Sequence, residues 1–409
     1  MRRALFTASA TLALLLQVSA QTTEVKVLHN FGSSNDGNVP SGSLLIDSSG
    51  SLYGATGGGP GEYGYGTVFE LAPQANGEWA ETIVHAFTGG SGGSDPWGAP
   101  LFDTRGNLYF TVQGYGSADI GGIFSFTPGT NGWTYSVPYT GGAGPGLLMD
   151  RLGNLYGAIG LGDYFGLGAI GELSPVPRGW TYTQLYSFTC QPSCADGYGP
   201  PAPPIWDSRG NLWGVTTYGG ISDSPCVTEE GCGVIFVMTP DGDGAWTYHV
   251  IHRFASSPTD GQFPLAGLAL DSEGNFYGDT DGGGTHGLGI IFRFSVTDGK
   301  VQASVIHNFS NCSTGCYPEG TLAIDSAGNL YGMAQGGPNS CGGPSCGVVF
   351  KLAPQANGTW KYSVLVNLTE TTGGVLPFYG LILDSKGNLY GVTSSGGQYG
   401  GGTAFEISP

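Results

Sequence analysis

The chain has 409 residues, with 13 Lys and Arg against 31 Asp and Glu, and a formal net charge of −18. It holds no basic cluster to follow a phosphate backbone, which excludes nucleic acid and anionic membranes as expected partners. Only 11% of residues are charged while 40% are hydrophobic and 12% aromatic, enough for a substantial core beneath a surface of Ser, Thr, Asn, Gly and aromatic groups.

In chain order, Arg2 and Arg3 precede an apolar run from Ala10 to Leu16, and Val18-Ser-Ala20 supplies small residues for cleavage before Gln21. This is the pattern of a secretory signal peptide over residues 1–20. It predicts a secreted or extracellular protein, with the periplasm as the other compartment. Removing Arg2 and Arg3 takes the formal charge to −20. The run is too short to span a bilayer, so no membrane span is expected.

Next comes Val27-Leu-His-Asn-Phe31, and then a seven-residue phrase that recurs seven times, from Asp47, Asp103, Asp150, Asp207, Asp271, Asp325 and Asp384 to a Tyr or, once, Trp213. The spacings of 47 to 64 residues lie around the length of a propeller blade. Each unit carries four strand signals. A short apolar run ends in Asp, as in Leu381-Ile-Leu-Asp384, and an Asp-x-x-Gly turn follows. Asn-Leu-Tyr-Gly-x-Thr is the second strand, Gly-x-apolar-Phe the third, and a segment from Trp79 to Phe87, with its counterparts, the fourth. No stretch of residues 21–409 has a sustained helical apolar period. The 76 glycines fall in phase with turns, so they mark a repeat and not disorder.

The ends complete each other. Val27 to Phe31 reads as an orphan fourth strand, and the seventh unit stops after its third strand at Ile407. An N-terminal strand in the last blade would close a ring and remove exposed edges. The expectation is an all-β, seven-bladed β-propeller of four-stranded blades, one domain over residues 21–409.

Eight cysteines sit in four local clusters: Cys190 and Cys194, Cys226 and Cys232, Cys312 and Cys316, Cys341 and Cys346. In an exported chain they read as disulfides, first of all within each cluster. Cross-pairing among the first four stays open. The spacings lack the regularity of a zinc finger.

The phrases Gly-Asn-Leu-Tyr-Gly-x-Thr, Gly-Gly and Gly-x-Val-Phe, recurring from Val27 to Pro409, resemble the GloVer tandem repeat of exported bacterial proteins. Two positions depart from it: Phe110 stands for the usual Gly in the second repeat, and Gly171 for the usual Phe in the third. The resemblance implies an extracellular propeller-like array and transfers no catalytic residue.

Chemistry is therefore sought where the repeats differ. The seven turn aspartates are explained by the turn itself. His29, His85, His252 and His307 share one register on the outer strand and cannot converge on the axis; His286 alone, in the Gly-rich loop of the fifth repeat, is kept as a site candidate. No nucleophile elbow, zincin motif or P-loop is present. No cofactor is expected beyond Ca²⁺, for which Asp241, Asp243, Asp279 and Asp281 are incomplete ligand candidates. The variable loops carry aromatics, and Tyr63, Tyr65, Trp97, Tyr115, Tyr164, Tyr218, Tyr379 and Tyr399 are expected to form a binding rim for a polysaccharide or a cell-surface protein. The chain reads as a non-enzymatic binding or adhesion module. The alternatives are a propeller lyase or lactonase with a site in the central channel, and a structural matrix component.

Overall fold

A computed structural model describes residues 24–33, 36–59, 64–114, 121–161, 167–189, 194–220, 231–255, 257–297, 300–337 and 346–408. The signal peptide expectation lies outside them. The chain is all β, arranged as seven blades of four antiparallel strands. Blade 2 shows the unit plainly: Pro96–Phe102 innermost, then Leu108–Val112, Gly122–Gly129 and Gly132–Thr140 outermost. Blade 7 consists of Ile382–Leu383, Leu389–Thr393 and Thr403–Ile407, and Val25–Asn30 adds its outer strand, pairing antiparallel with Thr403–Ile407. The ring is closed as the orphan ends suggested, and only short edges remain.

The turn aspartates hold the first hairpin of every blade. The Asp271 Oδ1 accepts from the backbone N–H of Glu273 and Asn275 at 2.9 and 2.8 Å, and its Oδ2 accepts from Asn275 Nδ2 and the Tyr277 hydroxyl at 2.7 and 3.0 Å. Partial burial works against the charge, yet these hydrogen bonds together keep Asp271 below the usual carboxylate range. In blade 4, Trp213 Nε1 takes the place of the tyrosine hydroxyl.

Among the described residues, seven apolar clusters form the core, each built across one seam between neighbouring blades. Two repeated glycines make that packing feasible. A Cβ on Gly332 would stand 2.5 Å from the Phe350 ring, so the Gly of Tyr-Gly is the seat for the Phe of the third strand. A Cβ on Gly66 would stand 2.5 Å from Cδ of Pro96 in the next blade. The proline that docks there opens the inner strand, as Pro96 does in blade 2. The residue before it is turned into the left-handed region (Val39, Asp95, Phe263, Tyr317 and Leu376, φ 50 to 60°). At four of the five the N–H donates to the previous blade, as from Asp95 to the Tyr65 carbonyl at 2.8 Å. The strained backbone thus serves as an inter-blade bond.

The two departures from the repeat are absorbed locally. In blade 3 the space beside Gly171 is taken by Tyr182 and Ile159, and in blade 2 Phe110 is fully buried with Phe124 and Phe126. Cys312 and Cys316 form a disulfide, as expected. Cys194, Cys232 and Cys346 are also disulfide-bonded, whereas Cys190, Cys226 and Cys341 lie outside the described residues.

Candidate functional site

The up-and-down strand order brings the connections into each inner strand, and those between second and third strands, to one face. At its centre the inner strands come close. A Cβ on Gly42 would meet the Gly98 carbonyl oxygen at 2.2 Å, and one on Gly320 would meet the Tyr379 backbone at 2.6 Å. The residues following the docking prolines therefore ring the axis. They are Ser41, Trp97, Pro201, Leu265, Glu319 and Phe378, with Gly144 in blade 3, where Ala143 stands for the proline, and two of them, Trp97 and Glu319, bring chemistry that the repeat does not require.

Acidic groups collect here. Glu319 accepts from Gln335 Nε2 at 2.5 Å. Burial, with the Asp281 charge added to it, raises its carboxyl to about 7 despite that bond. Asp95, before its docking proline, is raised by burial to about 6, with Oδ1 3.0 Å from where a Cβ on Gly57 would lie. Asp281 is raised by burial as well. Tyr379 is pushed up to about 12, chiefly by burial and also by the charges of Asp95 and Glu319. Asp95 belongs to blade 2 and Tyr379 to blade 7, so its charge acts on Tyr379 past the intervening blade 1.

Asp279 deepens the group. The other blades put Ala55, Thr111, Ala158, Val215, Met333 and Val392 at this position, all buried at a seam. Asp279 is 2% exposed, and neither carboxyl oxygen has a hydrogen-bond partner. Thr111 shows what a polar side chain does at this place: its hydroxyl donates to the Trp97 carbonyl and accepts from Gly146 N–H of the next blade. Burial, reinforced by the Glu319 and Asp281 charges, drives the Asp279 carboxyl well above its usual range, so it is held neutral. An orphaned buried acid marks a functional site more often than a stabilising one.

The residues singled out by sequence are dispersed. Tyr65 and Tyr399 are exposed, at 40% and 53%, and His286 is exposed on its loop. Three further rim aromatics are half-buried beside neighbouring groups. Trp97 lies in an inner strand with Nε1 donating to the Ala143 carbonyl at 3.2 Å; Tyr218 sits against Tyr198 and Phe263, ring centroids 5.3 and 6.0 Å apart; Tyr379 is half-buried at the axis. Tyr63, Tyr115 and Tyr164 lie outside the described residues. The four acidic candidates split. Asp279 and Asp281 join the axial group, while Asp241 and Asp243 sit on the opposite face, in the exposed outer hairpin of blade 4, where Asp241 accepts from Thr247 Oγ1. Sequence reading missed Asp95 and Glu319, although each sits beside a docking proline at a position where no other blade has an acid.

No curated protein matches the chain. Among solved structures, a Thermus thermophilus protein provisionally titled an oxidoreductase (glucose dehydrogenase) is similar over 94% of this chain and all of its own, at 14% identity and a TM-score of 0.47. The model of the Gloeobacter/Verrucomicrobia repeat matches residues 6–228 and 226–409. With nearly the whole length matched in two successive stretches, on top of seven blades built from one phrase, the chain belongs to the Gloeobacter/Verrucomicrobia repeat family.

Proposed function

We propose that this is an exported binding module whose axial mouth and adjoining rim take a polyhydroxylated ligand, a polysaccharide. One observation carries the reading: the charges of Asp95 and Glu319, from two blades, act on Tyr379 in a third, and that of Asp281 acts on Glu319, where the repeat itself calls for neither charge nor ring. Carboxyls with raised affinity for a proton both donate and accept hydrogen bonds, which suits paired sugar hydroxyls, and half-buried rings supply stacking area. Disulfide cross-links fit an oxidising compartment. The test is binding of the folded chain to a panel of bacterial and plant polysaccharides, with D95N and E319Q as variants. Saturable binding weakened at least tenfold in both variants is expected. A blank panel, or variants that bind as well as the parent, would sink the carbohydrate reading and favour a protein ligand.

A second reading has its own observation. Carboxyls at about 6 and about 7 are poised for proton transfer near neutral pH, as a channel-sited lyase would need. New reducing ends or unsaturated sugars after incubation with the parent, absent with E319Q, would select it.

A further inference from the structure

The outer strands of neighbouring blades meet through one pair of positions. Four seams place a ring on a ring: His85 with Tyr135, Tyr139 with Tyr182, Tyr186 with Tyr248, and His307 with Tyr362, centroids 3.9 to 5.3 Å apart. Between blades 7 and 1 the histidine is present as His29, but Glu81 occupies the place of the tyrosine, both being paired with the same register position of the third strand. Asp36 completes the group, with Oδ2 3.1 Å from His29 Nε2, while Glu81 Oε2 lies 3.6 Å from it.

We infer that His29, Asp36 and Glu81 form a binding site for a divalent cation of the zinc class. The three ligand atoms lie within 4.8 Å of one another. Ligands about 2.1 Å from a tetrahedral zinc stand roughly 3.4 Å apart, between the two separations measured from His29. The group is also short of positive charge. The single proton of His29 Nε2 can serve Asp36 or Glu81 but not both, and Glu81 Oε1 is buried with no partner. Asp36 is already oriented, since its Oδ1 accepts from the Gly32 N–H at 3.1 Å, the kind of outer contact that fixes metal ligands. One nitrogen and two carboxylates suit zinc or manganese better than calcium, which takes six or more oxygens. The remaining positions would be water, reached from the partly exposed His29 and Glu81. Because His29 is on the N-terminal strand and Glu81 in blade 1, the cation would tie the closing strand to the ring.

The test is calorimetric titration of chelator-treated protein with Zn²⁺, beside thermal unfolding with and without the metal. One-to-one binding that raises Tm is expected in the parent. Glu81→Gln should weaken it at least tenfold, and Glu81→Tyr, which restores the ring of other seams, should abolish it while unfolding stays cooperative. Absence of saturable Zn²⁺ binding by the parent, or a parent-like response from the folded Glu81→Gln protein, would overturn the inference.

Discussion

The seam between blades 7 and 1 and the seam between blades 4 and 5 begin alike and end differently. Each offers a histidine bonded to an aspartate, His29 with Asp36 and His252 with Asp260, at 3.1 Å in both. Across the first stands Glu81. Across the second stands Ala303, and the missing ring leaves a cleft of about 290 Å³ lined by His252, Phe254, Asp260, Phe292 and Val305. One outer-strand position therefore decides whether a seam is stacked, charged or open. The repeat fixes the scaffold around that position and leaves its side chain free to vary.

The largest expected effect comes from breaking a stacked seam. Tyr362 lies on His307 with centroids 4.1 Å apart and donates its hydroxyl to the Thr314 carbonyl at 2.6 Å. Removing the ring in Tyr362→Ala loses buried area, a stacking contact and a hydrogen bond, at a cost of about 3 kcal/mol. Denaturant unfolding checks it. A cost under about 0.5 kcal/mol, the level of an ordinary surface substitution, would mean that the rings do not hold the seams.

A smaller effect of opposite sign is expected from closing the open seam. Ala303→Tyr places a ring over His252 and its hydroxyl toward the segment of Asp260, whose counterpart in blade 4 already serves Tyr248, which donates to the Asp196 carbonyl. Filling the cleft should stabilise the protein by about 1 kcal/mol. A loss of stability would show that the cleft is shaped for something other than a ring.

These contrasts explain what could be read in the sequence. The Asp-x-x-Gly turn, the Tyr-Gly seat and the Gly-x-x-Phe ring act within one blade, so their spacing alone displays them; the orphan strands at Val27 and Ile407 then give the closure. The seams join residues some 50 positions apart whose identities change from blade to blade. Glu81 is invisible as a ligand until it is aligned with Tyr135 and Tyr362, and Asp279, legible as an acid beside Asp281, shows itself as a buried one only when it is set beside Val215 and Met333. Trp97 reads in the sequence as part of a loop, whereas its strand starts at Pro96, earlier than the apolar run suggests. Rim aromatics were identifiable as residues but not as exposed ones, since exposure depends on neighbouring loops.

The smallest effect distinguishes the charged seam by pH. The folded-state affinity of Glu81 for its proton is raised from 4.5 to about 7, so its contribution to stability is fully present below 4.5 and lost as pH rises through about 7. His29 opposes it over part of the range, because its lowered value makes the fold lose stability as pH falls below 6.5. Asp95, Glu319, Asp279 and Asp281 share the sign of Glu81, and the turn aspartates Asp103, Asp207, Asp271, Asp325 and Asp384, which are lowered, act only in acid. The difference between two proteins isolates the seam. In chelator, the parent should lose several degrees of Tm from pH 5 to pH 8, and Glu81→Gln should lose less, by about 1 to 3 °C, since a partly exposed group is partly screened. Adding Zn²⁺ should flatten the slope of the parent and leave that of Glu81→Gln unchanged, because a cation that holds Glu81 ionised removes the cost of its charge. Parallel slopes for the two proteins in chelator would mean that Glu81 is solvated and that the seam between blades 7 and 1 differs from its neighbours in shape alone.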